Sequence, residues 1–503
     1  MHRWKVNDWL QGFILIQPFL DLYWFYHGSL ANALPFTLPT IIRLLAMAVI
    51  FGLFWQNPGQ LKQFSKRPWL IAYVILLVLY SGVHLYYVHD FTSLSPTSYG
   101  YSTFSELFYL IRMLLPLFVL YFSYELDCSA QQLRRIVIGL SGLFSYTIVI
   151  SNLLVISLRS YEAGPISANI FAWFTNPNLG YSHMASKGFF NFANMISAVL
   201  FMLLPLLIAN LLERANWQNS LALSIQALAM IEVGTKVALI GLIVGLAVSS
   251  VILVAHQLKE RDWFKSLRPA LLVLLLIELA ALAITPFGPV GQRYRYEHYL
   301  AQQSDTRTQQ LDQQLTAGLK KYRQQPARLK QFKQNFVKQH YQAYALNPKF
   351  VLKAYPYQRD PDFWIGIMRQ PGELRMQNRY VETAMLNRVR AHHKQPLDDW
   401  LGISYTRVSN IFNLERDYVS QIYSLGLIGM LLFVGPSLLL PAYALLQWWR
   451  RKSARLMALI LASGFMVMAA FYSGNVLDFL TASLILAFIE GIMLKLANTK
   501  TAD

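Results

Sequence analysis

Apolar runs of membrane length recur along the chain and are separated by short polar connections. A helix rises 1.5 Å per residue, so about 20 apolar residues cross the roughly 30 Å hydrocarbon layer. On that measure the pattern predicts about twelve spans. They lie near 9–27, 37–55, 69–88, 105–124, 135–157, 189–212, 218–233, 235–255, 269–287, 418–447, 454–472 and 475–494. The seventh and eighth come from one run, LALSIQALAMIEVGTKVALIGLIVGLAVSSVILVA, which is too long for a single crossing. EVGTK interrupts it, and a tight turn at Gly234 is expected there. The predicted fold class is all-α: a polytopic membrane protein with one large, mainly helical external loop.

That loop is the one long polar stretch, residues 288–416, rich in Gln, Arg and Lys. GLKKYRQQPARLKQFKQNFVKQHYQAYAL predicts two helices with a restart at Pro326, and PGELRMQNRYVETAMLNRVRAHH another from near Pro371. Tyr, Phe and Trp scattered through the stretch predict a folded cap. The chain therefore divides into 1–287, nine spans; 288–416, the external cap; and 417–503, three spans and a tail. No internal repeat is visible.

Composition agrees with the pattern. Of 503 residues, 55% are hydrophobic and 14% charged, against roughly a quarter charged in soluble domains. The net charge of +18 would suggest nucleic acid in a soluble protein. Here much of it lies in short loops, where basic residues set topology, so no nucleic acid partner is expected. Arg3 and Lys5 precede the first span. Lys62, Lys66, Arg67, Arg134, Arg135, Arg214, Lys259, Arg261, Lys265, Arg268, Arg450, Arg451, Lys452, Arg455, Lys495 and Lys500 follow in every second loop. Loops 28–36, 89–104 and 473–475 have no Lys or Arg. Both termini are then cytoplasmic and the large loop external. Cys128 is the one cysteine, so no disulfide forms within the chain. The start lacks an A-x-A-like cleavage site and reads as a retained span.

Charges inside spans are costly and are functional candidates by default. Arg43, Arg112 and Lys236 all fall near the external face. Cations at that depth suit an anionic headgroup such as a lipid diphosphate, and Arg grips phosphate oxygens with two parallel bonds. Each also suits a side chain that reaches alone to the interface. Asn191 and Asn194 open the sixth span at i and i+3, facing either a sugar or a neighbouring helix. Asp21, near the outer end of the first span, either pairs with Arg43 or marks the interface.

The tenth span begins NLERDYVSQIYSLGLIGMLLF. On a helix Glu415 shares a face with Tyr418, and Asp417 with Gln421. Gly426 and Gly429 permit close helix approach. Glu415 or Asp417 suits a base that takes a proton from an acceptor hydroxyl; both also suit acidic groups at a helix N-terminus. No zinc-protease, C-x-x-C or Walker A pattern is present. The adjacent His392 and His393 suit a solvated helix end, and no metal site is expected.

In order and content these stretches resemble the O-antigen ligase and polymerase superfamily of bacterial membrane glycosyltransferases. QPFLDLYWFY lies in an early span. KGFFNFANMISAVLFMLLPLL is similar to the family's Asn-containing sixth span, and GTKVALIGLIVGL to its basic, small-residue turn into the next. A large external loop then closes with DDWLGISYTRVSNIFNLERDYVSQIYSLGLIGMLLF, like the family's closing motif. In the lipopolysaccharide ligases a His followed by Asn or Ser opens that motif. Here Glu415 and Arg416 take those places, which suits the polymerase-like branch. The resemblance implies an inverting, metal-independent transfer without cofactor. The donor is a polyprenyl-diphosphate-linked oligosaccharide, the acceptor a glycan, and membrane lipid surrounds both. It implies arginines at the external face that hold the diphosphate, and Arg43 and Arg112 are the candidates by their depth in the spans. Lys236, Asn194 and Tyr418 are further candidate substrate contacts. Glu415 and Asp417 are the catalytic candidates. The alternative is a transporter or flippase of the same lipid-linked glycans. Twelve spans and a cationic interior favour it; the missing repeat and the large cap count against it.

Orientation is directly testable. With Cys128 replaced, cysteines at Gln313 and Ser453 are probed in intact cells with an impermeant thiol reagent. Gln313 is expected to label and Ser453 to stay silent. The reverse pattern overturns the topology.

Overall fold

A computed structural model describes residues 6–27, 37–56, 58–95, 99–176, 180–257, 263–409, 414–474 and 476–499. The expected loop 28–36 and the basic residues Arg3, Lys5, Lys259, Arg261 and Lys500 lie outside them. Among the described residues every regular element is a helix, with a few isolated bridges between extended segments. Ten helical stretches are long and apolar enough to cross a membrane among the described residues. The chain is an all-α, multi-pass membrane protein. The other two expected spans are shorter. The seventh is Trp217–Val233 (17 residues). The first is a helix of only 10 residues, Val6–Leu15, followed by the single turns Phe19–Asp21 and Tyr23–Phe25. Pro18 has no N–H to continue the ladder. Beyond it the backbone bonds sideways: Tyr23 N–H donates to Phe189 O, and Asn191 N–H to Asp21 O, each at 2.9 Å.

The chain forms two compact units. The first comprises 1–75, 112–293 and 433–503. Its centre is the helix Ala193–Glu213, 89% buried over its apolar window, packed among Ala130–Leu153, Trp217–Val233, Lys236–Gln257 and Ala454–Tyr472. Gly241 and Gly245, one turn apart, both abut the Phe201 ring, where a Cβ would come within 2.8 and 2.6 Å. Small residues at that spacing bring two helices together. The turn expected at Gly234 is present. Its φ of +70° ends Trp217–Val233 in the left-handed region, and Lys236 starts the next helix.

The second unit comprises 76–111 and 294–432. It holds the polar stretch, which is folded as expected around its own core of Phe336, Val337, Tyr344, Phe350, Trp364, Met368, Met385 and Leu386. The restart at Pro326 is present: Pro289–Lys321 ends and Pro326–His340 begins. The helix expected from Pro371 is broken into Gly372–Arg375 and Asn378–His393.

One predicted helix is interrupted where the pattern shows no interruption. The expected tenth span comprises Asp417–Phe433 and Gly435–Arg451, and the first of these is kinked at Gly426. Gly426 has φ 69° and ψ 177°, a region essentially restricted to glycine. Its hydrogen stands against the Trp400 carbonyl, and Gly402 (φ +80°) stands against Ser424 O. The carbonyls freed by the break are taken up nearby. Ile403 N–H donates to Tyr423 O (2.7 Å), Ser404 N–H to Ser424 O (3.3 Å), and the Tyr80 hydroxyl to Leu425 O. Gly429, one turn on, meets the Tyr80 ring. The close approach expected of both glycines is thus present, and Gly426 supplies the kink as well.

Gly426→Ala is expected to destabilise by more than the 1–3 kcal/mol of its backbone conformation alone, since a methyl there also strikes Trp400. Gly464, mid-helix with open space beside it, is the control: Gly464→Ala should be neutral or stabilising. Thermal unfolding of both variants in detergent checks this, and matched midpoints would refute the assigned role of Gly426.

Candidate functional site

In the first unit a cationic cluster forms around the break at Pro18. Arg43, 2% exposed, is its hub. Its Nε donates to Gln17 Oε1 (2.8 Å), Nη1 to the Tyr26 hydroxyl (3.4 Å) and Nη2 to Thr481 Oγ1 (2.6 Å). Three of its five N–H donors are so committed, which holds the guanidinium in one pose. Asp21, fully buried, lies within electrostatic reach of Arg43 and Lys187. Its carboxylate oxygens have no hydrogen-bond partner among the described residues. Arg112, half-buried, donates through Nη2 to Asp478 O (2.9 Å) and shares the surroundings of the Tyr26 hydroxyl with Arg43 and Asp21. The two arginines singled out in the sequence therefore belong to one cluster, and Asp21 belongs to it too.

Lys187 was not foreseen. It lies in the extended segment before Ala193–Glu213, with Nζ donating to Asn191 O (2.8 Å) and standing 5.7 Å from the Tyr23 ring centre. Burial pushes its pKa down to about 8, and Asp21 pulls the other way. Its signal in the sequence was a lone Lys in MASKGFFNFAN, easily taken for an interfacial residue. Asn191 stands in the same extended segment, because the helix opens only at Ala193. The expected i, i+3 pair of amides therefore does not form. Asn194 is half-buried in the first turn, and Lys236 is exposed at the first residue of its helix.

In the second unit Glu415 is half-exposed and receives Arg379 through Nη2 (2.8 Å) and Nε (3.3 Å). Glu382, one turn beyond Arg379, is 2% exposed. Burial, with the Glu415 carboxylate beside it, pushes Glu382 up to about 8, although Arg379 opposes. At neutral pH Glu382 is a protonated acid next to an ion-paired carboxylate. Environments that separate two carboxyl groups in this way are suited to acid–base chemistry. Asp417 is buried at the first residue of its helix, and Tyr418 is half-buried.

Two further polar groups lie in this unit. His84 and Glu106, both fully buried, meet through Nε2 and Oε1 at 3.0 Å, and His84 Nδ1 faces Leu401 O at 2.7 Å. Glu106 also accepts from Tyr405 N–H, Thr406 N–H and the Thr406 hydroxyl, which fastens the short helix Tyr405–Ser409. Asp398, 2% exposed, accepts from the Tyr87 hydroxyl (2.8 Å) and holds His393 Nδ1 (2.9 Å). His393 is therefore no solvated helix end, unlike exposed His392: its side chain is 8% exposed and its ring packs on Phe91. A carboxylate on Nδ1–H leaves Nε2 as the basic nitrogen. In the first unit Glu490, also unforeseen, is buried in Leu480–Asn498 and accepts from Ser437 and Ser463, tying three helices together. Among the described residues no group of three or more His, Cys, Asp or Glu side chains is placed to hold a metal ion.

No curated protein matches the chain significantly. The model of a family described as O-antigen ligase like membrane protein matches residues 4–499, and by that near-complete match the chain belongs to this family.

Proposed function

We propose that this protein is a membrane glycosyltransferase that polymerises or ligates polyprenyl-diphosphate-linked oligosaccharide units in cell-surface polysaccharide biosynthesis. In this reading the cap is external and both termini are cytoplasmic. The observation that carries the proposal is the charge of the cluster in the first unit. Arg43, Arg112 and Lys187 gather around the Asp21 carboxylate, with Asp478 beside Arg112. That positive balance suits the anionic diphosphate of the donor.

The chemistry follows from that balance. The acceptor hydroxyl oxygen attacks the anomeric carbon and forms the new glycosidic bond. The bond from that carbon to the diphosphate oxygen breaks, and the electron pair leaves with the diphosphate, whose charge grows from −2 to −3. Cations already fixed in place favour the transition state over the ground state, because the charge they face increases along the reaction. Arg43, held by three bonds, is preorganised for this. Arg112 supplies a planar fork, and Lys187 a point charge. The hydroxyl proton goes to Glu415, and attack opposite the leaving group inverts the anomeric centre. Asn194, Tyr418 and Lys236 are assigned to substrate contacts, and Asp417 to the start of its helix. Labelled lipid-linked units in liposomes with the purified protein test the reading as a whole. Longer chains support it, while transbilayer movement without elongation replaces it with a flippase.

The lysine generates a pH prediction. The Lys187 cation is present below about 8 and is lost as pH rises through that value. If it helps to hold the diphosphate, polymer yield falls over that window, and Lys187→Arg moves the fall upward. Stability runs the other way. The unfolded chain binds more protons than the folded one between about 8 and the ordinary 10.5, so this group makes folding more favourable as pH rises. Matched pH profiles of wild type and Lys187→Arg would remove Lys187 from the donor site.

The base generates another. Removing a positioned general base costs on the order of 10²- to 10⁴-fold, so Glu415→Gln should lose that much polymer at equal membrane level. Asp417→Asn should lose less, since a helix-terminal acid is worth roughly 1 kcal/mol or below. His393→Gln is the comparison that the Asp398–imidazole pair demands. Collapse of activity there, with Glu415→Gln near normal, transfers the base to the imidazole.

A further inference from the structure

The second unit contains a cavity of about 450 Å³ that none of this chemistry uses. Its walls come from the helix Pro289–Lys321 and from the segment leading into Gly372–Arg375. Leu315 and Met368, each 1% exposed, back it from the core. Its polar lining includes Gln309, Asp312, Arg369 and Gln370. Tyr344, fully buried, fixes the two charged ends of this wall. Its hydroxyl donates to Asp312 Oδ1 at 2.6 Å, its carbonyl accepts from Arg375 Nε at 3.2 Å, and its ring lies 5.2 Å beneath the Arg375 guanidinium. Arg375 is 4% exposed and is clamped again by Gln370 O at 2.9 Å.

We infer that this cavity binds a carboxylated saccharide unit of the glycan, away from the reacting bond. The inference rests on the reading of the protein as a glycosyltransferase. A carboxylate such as Asp312 accepts from neighbouring hydroxyls on a sugar ring. The amides of Gln309 and Gln370 donate and accept beside it. The volume lies within the range of small-ligand pockets. The acidic preference comes from charge. Arg369 is exposed at the cavity and presents a fork for a carboxylate, with Arg375 fixed behind it. Residues 288–416 carry 21 Lys and Arg against 10 Asp and Glu, a surplus that draws a polyanion toward the cap. A growing chain held here is kept near the enzyme between transfers.

The test uses the full chain in lipid nanodiscs and calorimetric titration with an oligogalacturonate and with a malto-oligosaccharide of equal length. The acidic ligand should bind about fivefold more tightly. Arg369→Gln should remove that preference, and Asp312→Asn should weaken both ligands. Arg359→Gln changes an exposed cation that does not line the cavity and should change neither. Equal affinity for the two ligands, absence of binding, or an Arg359→Gln loss matching that of Arg369→Gln each overturns the inference; the last would make the attraction a diffuse property of the cap. Chain elongation is assayed on the same samples. Elongation without saccharide binding sinks the cavity and leaves the transferase reading standing. Binding without elongation sinks the transferase reading alone.

Discussion

A backbone that leaves helical geometry where water is excluded must find its hydrogen-bond partners within the protein. Two places in this chain show how much follows from that requirement. At Pro18 the first helix stops, and the carbonyl of Asp21 and the amide of Tyr23 pair with the segment around Phe189 and Asn191. That pairing puts Lys187 and Asn191 beside Asp21, and hence beside Arg43. At Gly426 the freed carbonyls take amides from Ile403 and Ser404 and the hydroxyl of Tyr80. The same contact sets Leu401 O against His84, and through His84 the chain reaches Glu106. In each unit, polar side chains gather where a helix is interrupted, because the interruption needs polar neighbours in any case.

The clusters differ in how they treat charge. The first unit gathers Arg43, Arg112 and Lys187 around the Asp21 carboxylate. The second separates two carboxyl groups by environment. Arg379 and solvent keep Glu415 company, while Glu382 is enclosed and holds its proton. One arrangement suits a negatively charged leaving group and the other suits proton movement.

The spans were legible in the sequence because their signal is summed over about 20 residues. So were the turn at Gly234, the restart at Pro326 and the folded character of the cap. The breaks were not legible, because each rests on one residue in an otherwise apolar window. Pro18 looks like any proline within a span, and Gly426 was read for close approach without its φ. The partners of buried charges were hidden for a different reason. His84 meets Leu401 across 317 positions and Arg43 meets Thr481 across 438, separations that no local pattern encodes. Arg43 and Arg112 were found because cations inside spans are rare. Lys187 escaped because it precedes a span, where lysines are ordinary. Glu382 escaped because it sits in a polar helix with several charged neighbours, where an acidic residue is ordinary, although it falls on the buried face with Val381, Met385 and Leu386.

The kink at Gly426 also alters what a helix can constrain. In an unbroken helix each residue turns about 100° from the last, so the direction of Tyr418 would dictate that of every residue down to Phe433. The non-helical torsions at Gly426 cancel that bookkeeping. Residues 417–425 and 427–433 can each be aimed independently, one toward polar partners and the other toward apolar ones. A substitution that rotates the lower piece leaves the upper piece where it was. A jointed helix lets one part of the chain change without altering how the other part packs.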